Sequence, residues 1–351
     1  MSDFMFPIIK ILVLFFFSFA AAIILTPFLT DILYKYRLGK QIRKSDQTPV
    51  FSKLHQSKEG TPTMGGILVW GTVVLLGVVF WLFDNLLNIP VFERLNFFSR
   101  KETLLPFFSL IVAAIIGFFD DILGILRIGP HGGGLTMKHR LGLYALVAAA
   151  GAYWFYFKLD WDQFHIPFVG DVSVGMWYIL IFIFIIVATA FSTNETDGLD
   201  GLAGGILMIA YGAFTAISFV QGKYDLAAFC AAIGGALLAF LWFNVYPARF
   251  FMGDTGAMSL GVTLGIIAML TNSALILPFI TFVMVVESAS VIIQMTWKKL
   301  FKRKLFISTP IHHHFEAIGW PETKVTMRFW IIGGVMAALG LVIFFADSFY
   351  F

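Results

Sequence analysis

Apolar runs of about twenty residues recur along the whole chain, and no other feature restricts its fold so tightly. A helix rises 1.5 Å per residue, so about 20 such residues cross a hydrocarbon core roughly 30 Å thick. Inside that core every backbone N–H and C=O must be satisfied within the structure, which leaves helices or closed barrels. The runs are too long and too uniformly apolar for barrel strands, whose residues alternate. An all-α, polytopic membrane protein is therefore expected, as one integral membrane domain over residues 1–351. Only 13% of residues are charged, against about 25% in soluble domains, and no segment reads as a soluble domain able to fold alone.

Ten spans are predicted, at roughly 7–33, 64–83, 104–123, 141–157, 175–193, 201–220, 225–243, 256–270, 274–297 and 328–346. The first run, Phe6 to Leu33, is too long for a cleavable signal core and has no small-residue cleavage site, so it reads as a span. Cys230 is the only cysteine, which excludes an intrachain disulfide and a thiolate metal centre. The net charge of +3 says nothing of nucleic acid.

The placement of the charges says more. Lys35, Arg37, Lys40, Arg43, Lys44, Lys53 and Lys58 follow span one, and Lys298, Lys299, Lys302, Arg303, Lys304, Lys324 and Arg328 follow span nine. With Arg127, Lys138, Arg140 and Arg249, 18 of the 24 lysines and arginines fall on one side. By the positive-inside rule that side is cytoplasmic, and both termini are expected on the periplasmic side.

The unusual polar residues fall on the same side. Asp120-Asp121 ends span three, and Asn194 to Gly201 joins spans five and six. Asn244 and Phe251 to Gly256 join spans seven and eight, His312-His313-His314 lies in the loop after span nine, and Lys58 to Gly66 precedes span two. The cytoplasmic loops at about 34–63, 120–140, 194–200, 244–255 and 298–327 are thus expected to carry the site. A carboxylate inside a span costs about 2.5–3.5 kcal/mol, so acids at membrane edges need partners. Five aspartates at three helix ends would raise one another's pKa unless a cation neutralised them. Mg²⁺ suits such oxygens, since it takes one or two carboxylates and completes its shell with phosphate oxygens and water.

Each motif also has a plainer reading. Asp120-Asp121 could be a solvated helix end, Asp200 or Asp254 a helix N-cap, and Lys58 to Gly66 a helix entry. Two glycines and three polar side chains in one turn favour ligand binding for Asn194 to Gly201. Asp254 at a helix start suits a metal lying between it and a phosphate. Phe251 reads as packing or as a base-stacking surface. Three successive histidines diverge, so one shared metal is not expected. Glu287 and Gln294 lie two helical turns apart on one face of span nine, with Glu287 toward the bundle interior.

In order and spacing, HQSKEGTPTMGG, GFFDD, NETDGLDGLAGG, FNVYPARFFMGDTGA and TPIHHHFE resemble the phospho-N-acetylmuramoyl-pentapeptide transferases, from about residue 55 to 320. The histidine loop separates this family from related N-acetylglucosamine-1-phosphate transferases, the alternative reading. The resemblance implies transfer from UDP-N-acetylmuramoyl-pentapeptide to undecaprenyl phosphate, giving lipid I and UMP in peptidoglycan synthesis, with Mg²⁺, in the bacterial inner membrane. It also implies a homodimer. It makes Asp254 the Mg²⁺ ligand and Asp120 and Asp121 catalytic acids. Gly198, Leu199, Asp200, Asn244 and Phe251 match a uridine pocket. Lys58, Thr63, Asn194, Asp197, Gln294, His312, His313 and His314 match other site positions. Gly124 stands where the family often has a lysine, and the basic residue of the next loop is Lys138 or Arg140, with Lys138 taken as the candidate.

The rival class is a transporter, whose acids would spread through the membrane depth and repeat between halves. These acids crowd one face, and no repeat is visible.

Overall fold

The computed structural model describes residues 2–36, 38–39, 58, 60–87, 89–98, 102–130 and 133–350. Of the residues used above, Arg37, Lys40, Arg43, Lys44, Lys53, His55, Gln56, Ser57 and Glu59 lie outside them.

Helices dominate the described chain. They are α1 (Ser2–Lys35), α2 (Gly66–Leu87), α3 (Pro90–Leu95), α4 (Leu104–Ile125), α5 (Met137–Lys158), α6 (Trp177–Thr196) and α7 (Leu202–Val220). Then follow α8 (Tyr224–Asn244), α9 (Gly253–Leu270), α10 (Leu277–Ile280), α11 (Phe282–Phe301), α12 (Ile311–Ala317) and α13 (Glu322–Tyr350). The chain is an all-α polytopic membrane protein. By length and composition α1, α2, α4, α6, α7, α8, α9 and α13 can each cross a membrane. The other two expected spans coincide with α5 and with α11, which carry more polar residues: Lys138, His139 and Arg140 on one, Glu287 and Gln294 on the other.

One element was not expected. Strands β1 (Gln163–Ile166) and β2 (Gly170–Ser173) form an antiparallel hairpin between α5 and α6. Four-residue strands are too short for their alternation to stand out from a polar loop.

The bundle is organised around α8, whose side chains are almost all buried. Small residues make this packing close. A Cβ on Gly235 would lie 2.1 Å from the Phe15 carbonyl oxygen of α1, so the two backbones touch there. Between helices in lipid, such close approach supplies the association energy that the hydrophobic effect does not. Helix α9 is buried nearly throughout and packs between α4 and α6. A Cβ on Gly117 of α4 would collide with the Asp254 carbonyl at 2.3 Å. This contact seats the carboxylate-bearing end of α4 on the first turn of α9.

Candidate active site

Adjacent residues on a helix point about 100° apart, so Asp120 and Asp121 reach different neighbours from the last turns of α4. Asp120 Oδ2 lies 2.6 Å from Arg140 Nε, and its Oδ1 accepts the Leu135 N–H at 2.6 Å. Asp121 turns to α9, where its Oδ2 accepts the Thr255 N–H at 3.0 Å. Its Oδ1 accepts a longer bond of 3.3 Å from the Thr63 hydroxyl. Both carboxylates are buried.

Asp254 stands in the first turn of α9, two residues after the N-cap position held by Met252. Its partners belong to other helices. Arg140 Nη2 donates to Asp254 Oδ2 at 2.8 Å, and Asn194 Nδ2 donates to Oδ1 at 2.5 Å. Arg140 Nη1 also donates to Asn194 Oδ1 at 3.1 Å. One planar guanidinium thus engages α4, α6 and α9 together, a fork that a lysine point charge does not reproduce. Asp197 Oδ2 accepts the Gly253 N–H at 3.1 Å, one residue before Asp254. Asp120 and Asp254 share Arg140, and Asp121 and Asp197 reach the same helix start through the Thr255 and Gly253 N–H groups, so the four belong to one locus at one end of the bundle. Among the described residues no three carboxylate, imidazole or thiolate groups form a ready-made metal cage.

Two glycines are required by this geometry. Gly253 has φ +73°, and a Cβ there would meet Thr63 Oγ1 at 2.6 Å and Asp121 Oδ2 at 2.7 Å. At Gly198 a Cβ would lie 2.2 Å from His312 Nε2, so the histidine ring rests directly on the turn.

Beside the carboxylates lies a second group. Lys58 Nζ is 2.6 Å from Asp200 Oδ1, 2.5 Å from Glu322 Oε1 and 5.8 Å from the centre of the Phe251 ring. Asp200 is not a helix cap: its Oδ2 accepts the Ala248 N–H at 3.0 Å, and Gly201 holds the N-cap position of α7. Asn244 ties the two loops together, accepting the Gly201 N–H at 3.0 Å and donating to the Phe250 carbonyl at 2.8 Å. Leu199 is buried beneath the turn.

The histidines take separate partners, as their divergence requires. His312 Nδ1 is 2.9 Å from Glu287 Oε2, and His313 Nδ1 is 2.7 Å from Glu316 Oε2. His314 Nδ1 accepts the Ile307 N–H at 3.3 Å. They lie on the short helix α12 and not in a loop. Glu287 is fully buried and faces the bundle interior, as expected. Gln294 is on the same helix, but its amide bonds Leu305 N–H, Phe306 N–H and Phe306 C=O. It fastens the loop before the histidines and does not join the carboxylates.

The structure places Arg140 at the carboxylates, and Lys138 is exposed. Thr136 caps α5 with its hydroxyl on the His139 N–H, which sets the helical phase. Residues 138 and 140 are then about 200° apart, on opposite faces. Glu322, Glu316 and Tyr144 were not singled out from sequence. Glu322 and Glu316 look like ordinary surface acids in polar segments. Tyr144, buried one turn beyond Arg140, looks like one more aromatic in a span.

Residues 103–272 match the family model for glycosyl transferase family 4. A protein from Chloroflexus aggregans named phospho-N-acetylmuramoyl-pentapeptide-transferase is 39% identical over 320 residues, covering 88% of this chain and 82% of the relative. Proteins of the same name from a Geobacillus species and from Shouchella clausii are 37% and 38% identical, each covering 93% of this chain and 95% of the relative.

Proposed function

Because the chain belongs to the phospho-N-acetylmuramoyl-pentapeptide-transferase family, we infer that its polar end joins a UDP-linked sugar phosphate to a lipid phosphate in peptidoglycan synthesis. The substrates are UDP-N-acetylmuramoyl-pentapeptide and undecaprenyl phosphate, and the products are lipid I and UMP. One observation carries this reading: carboxylates from α4, the α6–α7 turn and α9 gather at the start of α9, with Arg140 pairing Asp120 and Asp254. By sequence, 18 of the 24 lysines and arginines fall on the same side as these motifs, which supports a site facing the cytoplasm from the inner membrane.

A phosphate oxygen of the lipid attacks the sugar-side phosphorus of the diphosphate. The bond from that phosphorus to the bridging oxygen breaks, and UMP leaves with the electron pair. A phosphate monoester is mostly dianionic at pH 7, so the nucleophile needs little help from a base. The protein must hold two anions together and neutralise charge developing on UMP. Arg140 supplies one fixed positive charge at the carboxylates. Asp120, fixed by Arg140 and the Leu135 N–H, orients groups at the attacking side. Lys58, Asp200, Asn244, Leu199, Gly198 and Phe251 form the uridine pocket, with Phe251 as the stacking surface.

The donors fit Mg²⁺. They are hard oxygens, Asp120 and Asp254 share one guanidinium, and Mg²⁺ needs only one or two protein carboxylates when phosphate oxygens complete its shell. Asp254 would hold it, with Asp120 or Asn194 alongside. When bound it neutralises diphosphate oxygens and polarises phosphorus toward attack.

The test is UMP release by purified protein given undecaprenyl phosphate and either UDP-N-acetylmuramoyl-pentapeptide or UDP-N-acetylglucosamine. Turnover with the first alone is expected, and turnover with the second alone would contradict the assignment.

A further inference from the structure

The last helix grips the uridine-pocket turn through one stripe of side chains. Glu322, Thr326 and Trp330 are four residues apart in succession, so they share a face of α13. Glu322 Oε1 accepts the Asp200 N–H at 2.7 Å, and the Thr326 hydroxyl donates to the Asp200 carbonyl at 3.3 Å. Trp330 Nε1 donates to the Gly201 carbonyl at 3.1 Å. Glu322 does more, because the same oxygen takes Lys58 Nζ at 2.5 Å.

An acid in the first turn of a helix needs no special role, since it complements the helix dipole by about 0.3–1 kcal/mol. That role leaves the carboxylate facing solvent. Here its side chain is 11% exposed, with Lys58 at 15% and Asp200 at 3%, so the three charges are shielded from water. A lysine ammonium has three donors. Asp200 Oδ1 and Glu322 Oε1 take two, which fixes the direction of the third. The Phe251 ring lies 5.8 Å from the same nitrogen.

We propose that Glu322 is a positioning residue of the nucleotide pocket, holding Lys58 and the Asp200 turn so that one lysine N–H is aimed at a ligand lying on Phe251. This rests on the assignment of Phe251 and the Asp200 turn to the uridine pocket. Held by two carboxylates, Lys58 stays with the nucleoside end and does not follow the diphosphate. Losing Glu322 therefore weakens nucleotide binding and leaves the phosphoryl-transfer step largely intact.

The experiment compares full-length wild type, Glu322→Ala and Glu322→Gln in detergent. It measures KM for each substrate, kcat, and direct binding of UMP by calorimetry. In Glu322→Ala the KM for the UDP-substrate and the Kd for UMP should both rise roughly tenfold, equivalent to about 1.4 kcal/mol. The kcat and the KM for the lipid phosphate should stay within about twofold. Glu322→Gln keeps an acceptor for the Asp200 N–H and should fall between; it carries the test alone if the alanine variant does not fold. A fall in kcat with unchanged nucleotide KM and UMP binding would overturn the positioning role. A wild type that binds UMP but forms none from the UDP-sugar contradicts the assigned reaction instead, and the binding comparison still decides the role of Glu322.

Discussion

Arg140 and Asp254 meet at 2.8 Å across two helices, and the same guanidinium sits 2.6 Å from Asp120. Removing one partner of a buried ion pair leaves the other charge uncompensated, commonly at a cost of about 3–5 kcal/mol. Arg140→Met should therefore lower turnover by at least about a hundredfold, equivalent to about 2.7 kcal/mol. Arg140→Lys keeps the charge but loses the fork and should fall between the two. Lys138→Met should retain activity within about twofold. Steady-state UMP formation by the three variants checks the ordering, and a Lys138 variant as damaged as Arg140→Met would contradict it.

Gly198 touches His312 where any side chain would be, with a Cβ only 2.2 Å from the ring nitrogen. Gly198→Ala forces the ring or the turn to move, and overpacking of this kind costs about 1–3 kcal/mol. The variant should melt several degrees lower and bind UMP more weakly. A melting curve and UMP binding equal to wild type would show that the ring moves freely.

The helices were legible in the sequence because lipid allows an uninterrupted apolar run few other conformations. The aspartates were legible for the same reason, since a carboxylate at membrane depth demands a partner. Which partner was not. Lys138 and Arg140 are two residues apart, and only the phase set by the Thr136 cap decides which one faces Asp120. Glu322 joins Lys58 and Asp200 from more than a hundred residues away, and no local pattern marks it. The resemblance makes Gln294 a site position and its spacing puts it on the Glu287 face; the backbone partners of its amide, Leu305 and Phe306, are not legible from either.

At the other end of the bundle, His165 joins the hairpin to α13. Its Nε2 is 2.6 Å from Asp347 and its Nδ1 is 2.7 Å from Asp171. Burial disfavours the imidazolium, but the hydrogen bonds to Asp347 and Asp171 outweigh it and raise the pKa above the usual histidine value. A raised folded-state pKa gives stability that is fully present below the unfolded value of about 6.5 and is lost as pH rises through the folded one. The difference in melting temperature between wild type and His165→Asn should be largest near pH 6 and shrink by pH 9. A difference that grows with pH would contradict this sign.

Direct attack and a covalent aspartyl intermediate predict different first turnovers. Asp120 is held on both oxygens, by Arg140 and by the Leu135 N–H, which favours orienting over nucleophilic attack. Without lipid phosphate, a stoichiometric amount of enzyme mixed with the UDP-substrate should release no burst of UMP. A burst approaching one equivalent would require the covalent route.

Asp254, at the start of α9, is the residue proposed to meet Mg²⁺. Its carboxylate lies between Arg140 and Asn194, on the helix end that packs against Asp121. The direct measurement is UMP formation by purified wild type and Asp254→Asn across a Mg²⁺ titration, with the fold of each monitored by thermal melting. The asparagine variant should remain folded, need a higher Mg²⁺ concentration for half-maximal rate, and turn over far more slowly. A folded variant with an unchanged Mg²⁺ requirement would place the metal on another residue.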